Sequence, residues 1–353
     1  MKKALLIING LIIVALLLVA GTPQLGATAQ AADTKVYKWV FAQAQQPNNT
    51  FFLRNKKEAK EIAKQTNGRL QIQVFSDGVI VPSMEIPNAV KNRTIEMGNT
   101  PYSAFQAVLP STRMISFMGG PLMSLSDWMV WGNAFGYPVV KADIDKTFNA
   151  RFYPGAALPA VLCSKKPVTK LSDYKGMKLR MYGHTASLAR KLGASIVQVP
   201  GNELYTALQT GSIDGAFWGG YDGAWIIKMW EITKYYLTPV CAVGGAMCFI
   251  VNKDAYNELP GDLQLVVDEW LKKQQWLTAK ESRQLEERGL DTMIQNGMKR
   301  SAMNAEDQAE IKRIALELLK DEAKDASSTE MYNSMVNFIR QDEKMWKPSF
   351  NAE

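Results

Sequence analysis

The stretch from Leu171 to Asp222, LSDYKGMKLRMYGHTASLARKLGASIVQVPGNELYTALQTGSIDGAFWGGYD, constrains the fold more than any other part of the chain. It reads as strand, helix, strand, helix, strand, helix, the rhythm of a helix-covered parallel sheet. Inside its first apolar strand stands one arginine, Arg180. A guanidinium taken out of water without a counter-charge costs several kcal/mol or more. No acidic residue near it on that strand could serve. The pattern predicts an anion that arrives from solution.

The same rhythm occurs earlier. Val36–Ala42 alternates as a strand, and Pro47-Asn-Asn-Thr50 opens a helix with Phe52, Ala59, Ile62 and Ala63 near one face. Asn67-Gly68 closes that helix, with Gly68 in a left-handed cap. Leu70–Phe75 is the next strand, followed by a helix around Glu85–Arg93 and a short strand at Ile95–Gly98. Between Leu109 and Pro138 the Met-, Gly- and Pro-rich sequence gives no clear period. Pro154–Pro167 reads as one long strand, and Val240–Asn252 as a returning strand or a hairpin. From Asp262 a long helix carries an apolar stripe from Leu263 to Leu290. Asn304 with Asp307 opens another, and a last helix carries Met331, Met335, Phe338, Ile339 and Trp346 as either core or a dimer face.

The first 31 residues have the form of a secretory signal peptide: a basic start, an apolar run from Ala4 to Ala20, and a small-residue site ending at Ala31. This predicts a periplasmic protein. Nothing after Asp33 is long and apolar enough to span a bilayer, so no direct membrane insertion is expected after cleavage. The net charge of +7 is dispersed without a basic block, which argues against nucleic acid. Cys241 and Cys248 could face each other across a hairpin, or could be buried thiols like Cys163. One histidine, His184, and no clustered cysteines exclude the usual zinc arrangements. Neither a nucleophile elbow nor a phosphate-binding glycine loop is present, and no paired acid and base suggests an enzyme. No metal and no other cofactor is expected.

Three segments carry a family resemblance. EIAKQTNGRLQIQVFSDG (Glu61–Gly78), LSDYKGMKLRM (Leu171–Met181) and PGNELYTALQTGSIDG (Pro200–Gly215) resemble the solute receptors of TRAP transporters, the tripartite ATP-independent periplasmic carriers. The resemblance implies an α/β, bilobal periplasmic binding protein of type II-like form. It would have two β-sheet lobes with helices on both faces and a long helix bridging them. The lobes would comprise residues 32–157 with 240–284, and 158–239 with 285–353. It also implies a small organic anion as ligand and two integral membrane subunits as partners. Arg180 matches the family's ligand-binding arginine, suited to bidentate pairing with a carboxylate or sulfonate.

Trp218 matches a ligand-contact position of the second lobe. Tyr102 lies in a contact loop and Gln43 at the exit of the first strand. Phe217, Tyr221 and His184 are further candidates, His184 also fitting a cap or turn. A branch similar to 2-oxo acid receptors places an acid just before that tryptophan, and a glutamine on the preceding strand, to hold a cation. Here those positions read Phe217 and about Pro159. The second arginine of a sialic-acid-like branch, near Ala160, is missing too. The expectation is a small monoanion without a metal, either a short 2-hydroxy or 2-oxo carboxylate or a sulfonate such as isethionate. A ligand-sensing partner of a membrane kinase is the alternative, and an exported enzyme a weaker one.

Overall fold

The computed structural model describes residues 35–346 apart from 117, 120–123, 200, 241 and 246. The signal-peptide reading and Cys241 therefore lie outside the described residues.

Two larger sheets organise the chain from Tyr37 onward. The first has the strand order Leu70–Phe75, Tyr37–Gln43, Met97–Pro101, Met247–Asn252 and Ala150–Pro154. Its first three strands are parallel, with Tyr37 opposite Leu70 and Phe41 opposite Met97. The returning strand Met247–Asn252 runs antiparallel between its neighbours. The second sheet has the order Lys299–Ala302, Tyr235–Thr238, Leu162–Ser164, Gly215–Phe217, Lys178–Arg180 and Ser195–Ile196.

The stretch expected as one strand from Pro154 is three. Ala150–Pro154 belongs to the first sheet and Leu162–Ser164 to the second. Ala157–Ala160, between them, joins a small three-stranded sheet with Met118–Gly119 and Ala242–Gly245. Ala242–Gly245 and Met247–Asn252 do not pair with each other, so this segment is a crossing strand and no hairpin. Cys248 is a buried free thiol that faces the Thr100 carbonyl at 3.6 Å.

Strand alternation feeds a core on each face of the second sheet. Leu162, Leu179 and Phe217 pack with Ile311 and Ile314, while Cys163, Ala216 and Leu208 pack with Met229 and Met293. The first sheet buries Phe41 and Phe249 against Val267, Trp270 and Leu271 of the long helix Gly261–Gln295. That helix reaches the second sheet's core at Met293. Its 35 residues span about 52 Å at 1.5 Å per residue.

Local signals act as the sequence predicts. The Asn49 side chain accepts from Phe51 and Phe52 N–H at 2.9 and 3.3 Å, and Gly68 takes φ +79° where that helix closes. Asn304 accepts from Asp307 N–H at 2.7 Å. The last helix, Ala326–Trp346, buries Met331, Met335 and Ile339 with Ile86, Val90 and Trp128. Its stripe is core, and it completes the first sheet's packing. Dividing the chain so that all of 285–353 joins the second lobe does not match this contact.

Candidate ligand-binding site

Arg180 ends the strand Lys178–Arg180 in the interior of the second sheet, with 3% of its surface exposed. Its guanidinium is held by neutral oxygens alone. Nη1 donates to the Phe217 carbonyl at 2.5 Å, Nη2 to the Tyr182 hydroxyl at 2.7 Å, and Nε to the Val199 carbonyl at 3.5 Å. The Tyr182 hydroxyl in turn donates to the Val199 carbonyl at 3.1 Å. The guanidinium carbon lies 4.0 Å from the Tyr182 ring centroid and 4.6 Å from that of Trp218.

Among the described residues no carboxylate pairs with Arg180. A guanidinium carries five N–H donors, and three acceptors leave two unspent. Burial pulls its pKa down to about 10, with the Tyr182 hydroxyl opposing the shift. The group stays charged at neutral pH, with donors that could pair with an oxyanion.

Backbone geometry sets Trp218 against this charge. A Cβ on Gly201 would stand 2.2 Å from the indole ring, and one on Gly223 would stand 1.8 Å from the Trp218 carbonyl. Both positions admit only glycine without displacement. Beyond Trp218, Gly219 adopts φ +68°. Glu286 of the long helix accepts from Tyr221 N–H at 2.6 Å and Asp222 N–H at 3.3 Å. Burial, and then neighbouring Asp222, push the Glu286 carboxyl up to about 9. The tryptophan-bearing turn is thereby tied to the long helix.

The other predicted residues separate into groups. Phe217 contributes its carbonyl to Arg180, while its ring packs in the sheet's core, edge-on to Tyr182 at 6.3 Å. Tyr221 turns inward against Tyr236 at 5.8 Å. His184 is buried and joins two helices: Nε2 meets the Ala315 carbonyl at 2.9 Å, and Nδ1 lies 3.5 Å from Glu322. Tyr102 is fully buried in the first sheet's core beside Phe152. Gln43 is fully buried and accepts from Asn55 at 2.8 Å.

Sequence reasoning missed Tyr182, although it lies two residues past Arg180. It also missed a cluster of Gln45, Arg54, Asn55 and Asn99 around a cavity of the first sheet. Arg54 pairs with Glu281 and donates to Gln274 and Thr278, both at 2.8 Å.

Two helix-covered sheets joined by crossing strands hold Arg180, which no carboxylate pairs among the described residues. The profile of bacterial extracellular solute-binding protein family 7, DctP, matches residues 41–325. The chain belongs to this family of periplasmic TRAP solute receptors, and it is not an enzyme. A monocarboxylate 2-oxoacid-binding periplasmic protein of Nostoc sp. is 26% identical over 288 residues, covering 80% of this chain and 79% of that protein. A TRAP solute-binding protein of Pseudoalteromonas atlantica, solved with sodium and pyruvate, has a TM-score of 0.78 at 25% identity. The match covers 89% of this chain and 97% of that one. One from Colwellia psychrerythraea, solved with calcium and pyruvate, also gives 0.78 at 25% identity, over 89% of this chain and 98% of that one. No described helix here is long and apolar enough to cross a membrane.

The residues at hand do not fit a cation of that kind. Phe217, just before Trp218, offers an apolar side chain buried among Leu162, Leu179 and Leu237. Pro159 has no ligating side chain.

Proposed function

We propose that the chain captures one small organic monoanion for TRAP-type uptake, with Arg180 as the group that binds its charged end. The observation that carries this reading is a buried guanidinium held only by neutral acceptors. A short 2-hydroxy or 2-oxo carboxylate, or a small sulfonate such as isethionate, supplies two oxygens to the two unspent donors. Trp218 gives the ligand a flat apolar wall and Tyr182 fixes the guanidinium plane. Binding would proceed without a metal, because Phe217 offers no ligating side chain and Pro159 none either.

The second lobe would recognise the anion and the first lobe would close over it, bending at the crossing strands. The cavity of the first sheet reaches Thr278 on the long helix, and the tryptophan turn is held at Glu286. Eight residues of helix separate those points, about 12 Å. Bringing the first lobe onto a three- or four-carbon acid therefore calls for hinge closure, with ligand favouring the closed population. The loaded receptor would deliver the acid to two integral membrane subunits.

A thermal-shift screen of short carboxylates and sulfonates, followed by calorimetry on Arg180→Ala, tests the reading. At 100 times its dissociation constant a ligand adds about 2.7 kcal/mol to stability, a shift of several degrees. The expected hit is a small monoanion whose binding disappears in Arg180→Ala. Binding of equal strength in that variant would remove the proposal.

A further inference from the structure

The first sheet holds a cavity lined by Gln45, Phe51, Asn55, Asn99, Met247 and Phe249, among others. Gln45 follows the carboxyl end of the strand Tyr37–Gln43, and Asn99, in the parallel strand Met97–Pro101, is opposite the last residue of that strand, Gln43; open α/β sheets take ligands at the carboxyl ends of their strands. Their amides form a directed chain. Asn99 Nδ2 donates to the Cys248 carbonyl at 3.0 Å. A carbonyl only accepts, so that bond fixes the Asn99 amide and turns its oxygen toward Gln45. Asn99 Oδ1 then accepts from Gln45 Nε2 at 2.5 Å. Gln45 Oε1 is left over, buried and without a partner. Flipping either amide would set like groups against each other, so this leftover atom is an acceptor by necessity.

The charge next door is paired, but Arg54 Nε is buried and has no hydrogen-bond partner among the described residues. Arg54 is paired with Glu281, and its Nη2 is used by Gln274 and Thr278. This wall lacks an anion to welcome an ammonium, and it presents a lone pair that asks for a proton. A buried acceptor with no donor costs free energy, and a ligand donor would recover it.

We infer that the Gln45–Asn99 pair selects, on the same small acid that Arg180 holds, a neutral hydrogen-bond donor: a hydroxyl or an amide N–H. A keto oxygen would meet Gln45 Oε1 lone pair to lone pair and would have to turn to Arg54 Nε for a donor, so at the Gln45 position the 2-oxo member of an otherwise equal pair is disfavoured. The inference rests on the small-acid reading and deepens it, dividing a class that Arg180 treats alike.

Calorimetry of the purified protein with matched pairs tests it: lactate against pyruvate, 2-hydroxyisovalerate against 2-oxoisovalerate, and pyroglutamate against cyclopentanecarboxylate. In the wild type the hydroxyl or N–H member should bind about tenfold more tightly or better. Gln45→Leu should erase that preference while leaving Arg180-dependent binding. Gln45→Met, which keeps the length of the side chain, should behave alike if the leucine variant does not fold. Equal affinity within the pairs, or preference for the keto member, in the wild type overturns the inference and leaves the anion site standing. Failure of every pair to bind, with Arg180→Ala no different from wild type, overturns the receptor reading and takes this inference with it.

Discussion

At Arg180, three neutral oxygens and two aromatic rings replace part of the water a guanidinium loses on burial, and none of them replaces a counter-charge. Removing an uncompensated buried charge relieves a desolvation cost. Arg180→Ala should therefore melt no lower than wild type without ligand, while its affinity for the bound acid falls by two orders of magnitude or more. Melting curves and calorimetry on the same preparation check both halves. A lower ligand-free melting temperature would mean that the neutral contacts outweigh the charge. Gly201→Ala probes the wall beside it, because the new Cβ would lie 2.2 Å from the indole of Trp218. The ring must swing away, and ligand affinity should fall with Arg180 untouched. Arg180 could be read from sequence because a cation in an apolar strand breaks the pattern. Gln45 and Asn99 could not, since amides at strand ends follow no period, and only the fold shows which donors they have used. Tyr102 and His184 look like site residues in sequence, but both are core, where burial depends on partners far along the chain.

Among the elements, the long helix does more than span the sheets. Its Glu286 accepts the N–H groups of Tyr221 and Asp222, and its Gly289 lets the Tyr221 backbone approach, since a Cβ there would stand 2.5 Å from the Tyr221 carbonyl oxygen. Burial and Asp222 raise the Glu286 carboxyl from 4.5 to about 9. The folded chain thus keeps a proton that the unfolded chain gives up above its ordinary value. Its stability contribution is complete below about pH 4.5 and is lost as pH rises toward about 9. Glu286→Gln stays neutral throughout. Scanned from pH 5 to pH 9, the wild type should lose melting temperature relative to this variant as pH rises; parallel profiles would refute the shift. The helix was legible because its apolar stripe repeats at helical period from Leu263 onward. The crossing strands were less so: Ala157–Ala160 and Ala242–Gly245 are short, and which sheet a short strand joins is set by tertiary pairing.

For the molecule as a whole, two sheets linked by crossing strands and one helix make the frame of the receptor, and an α/β rhythm repeated in two segments was enough to anticipate it. The last helix, whose stripe the sequence left as core or a dimer face, packs with Ile86 and Trp128. If closure accompanies capture, small-angle scattering should show a smaller radius of gyration with saturating acid, and Arg180→Ala should show none of this contraction. The most direct measurement is a crystal structure of the protein with its bound acid. The account predicts an acid oxygen pair within hydrogen-bonding distance of the Arg180 guanidinium, beside the Trp218 ring and with no metal ion between ligand and protein. An acid seated elsewhere, or Arg180 facing a protein carboxylate while the ligand is bound, would contradict it.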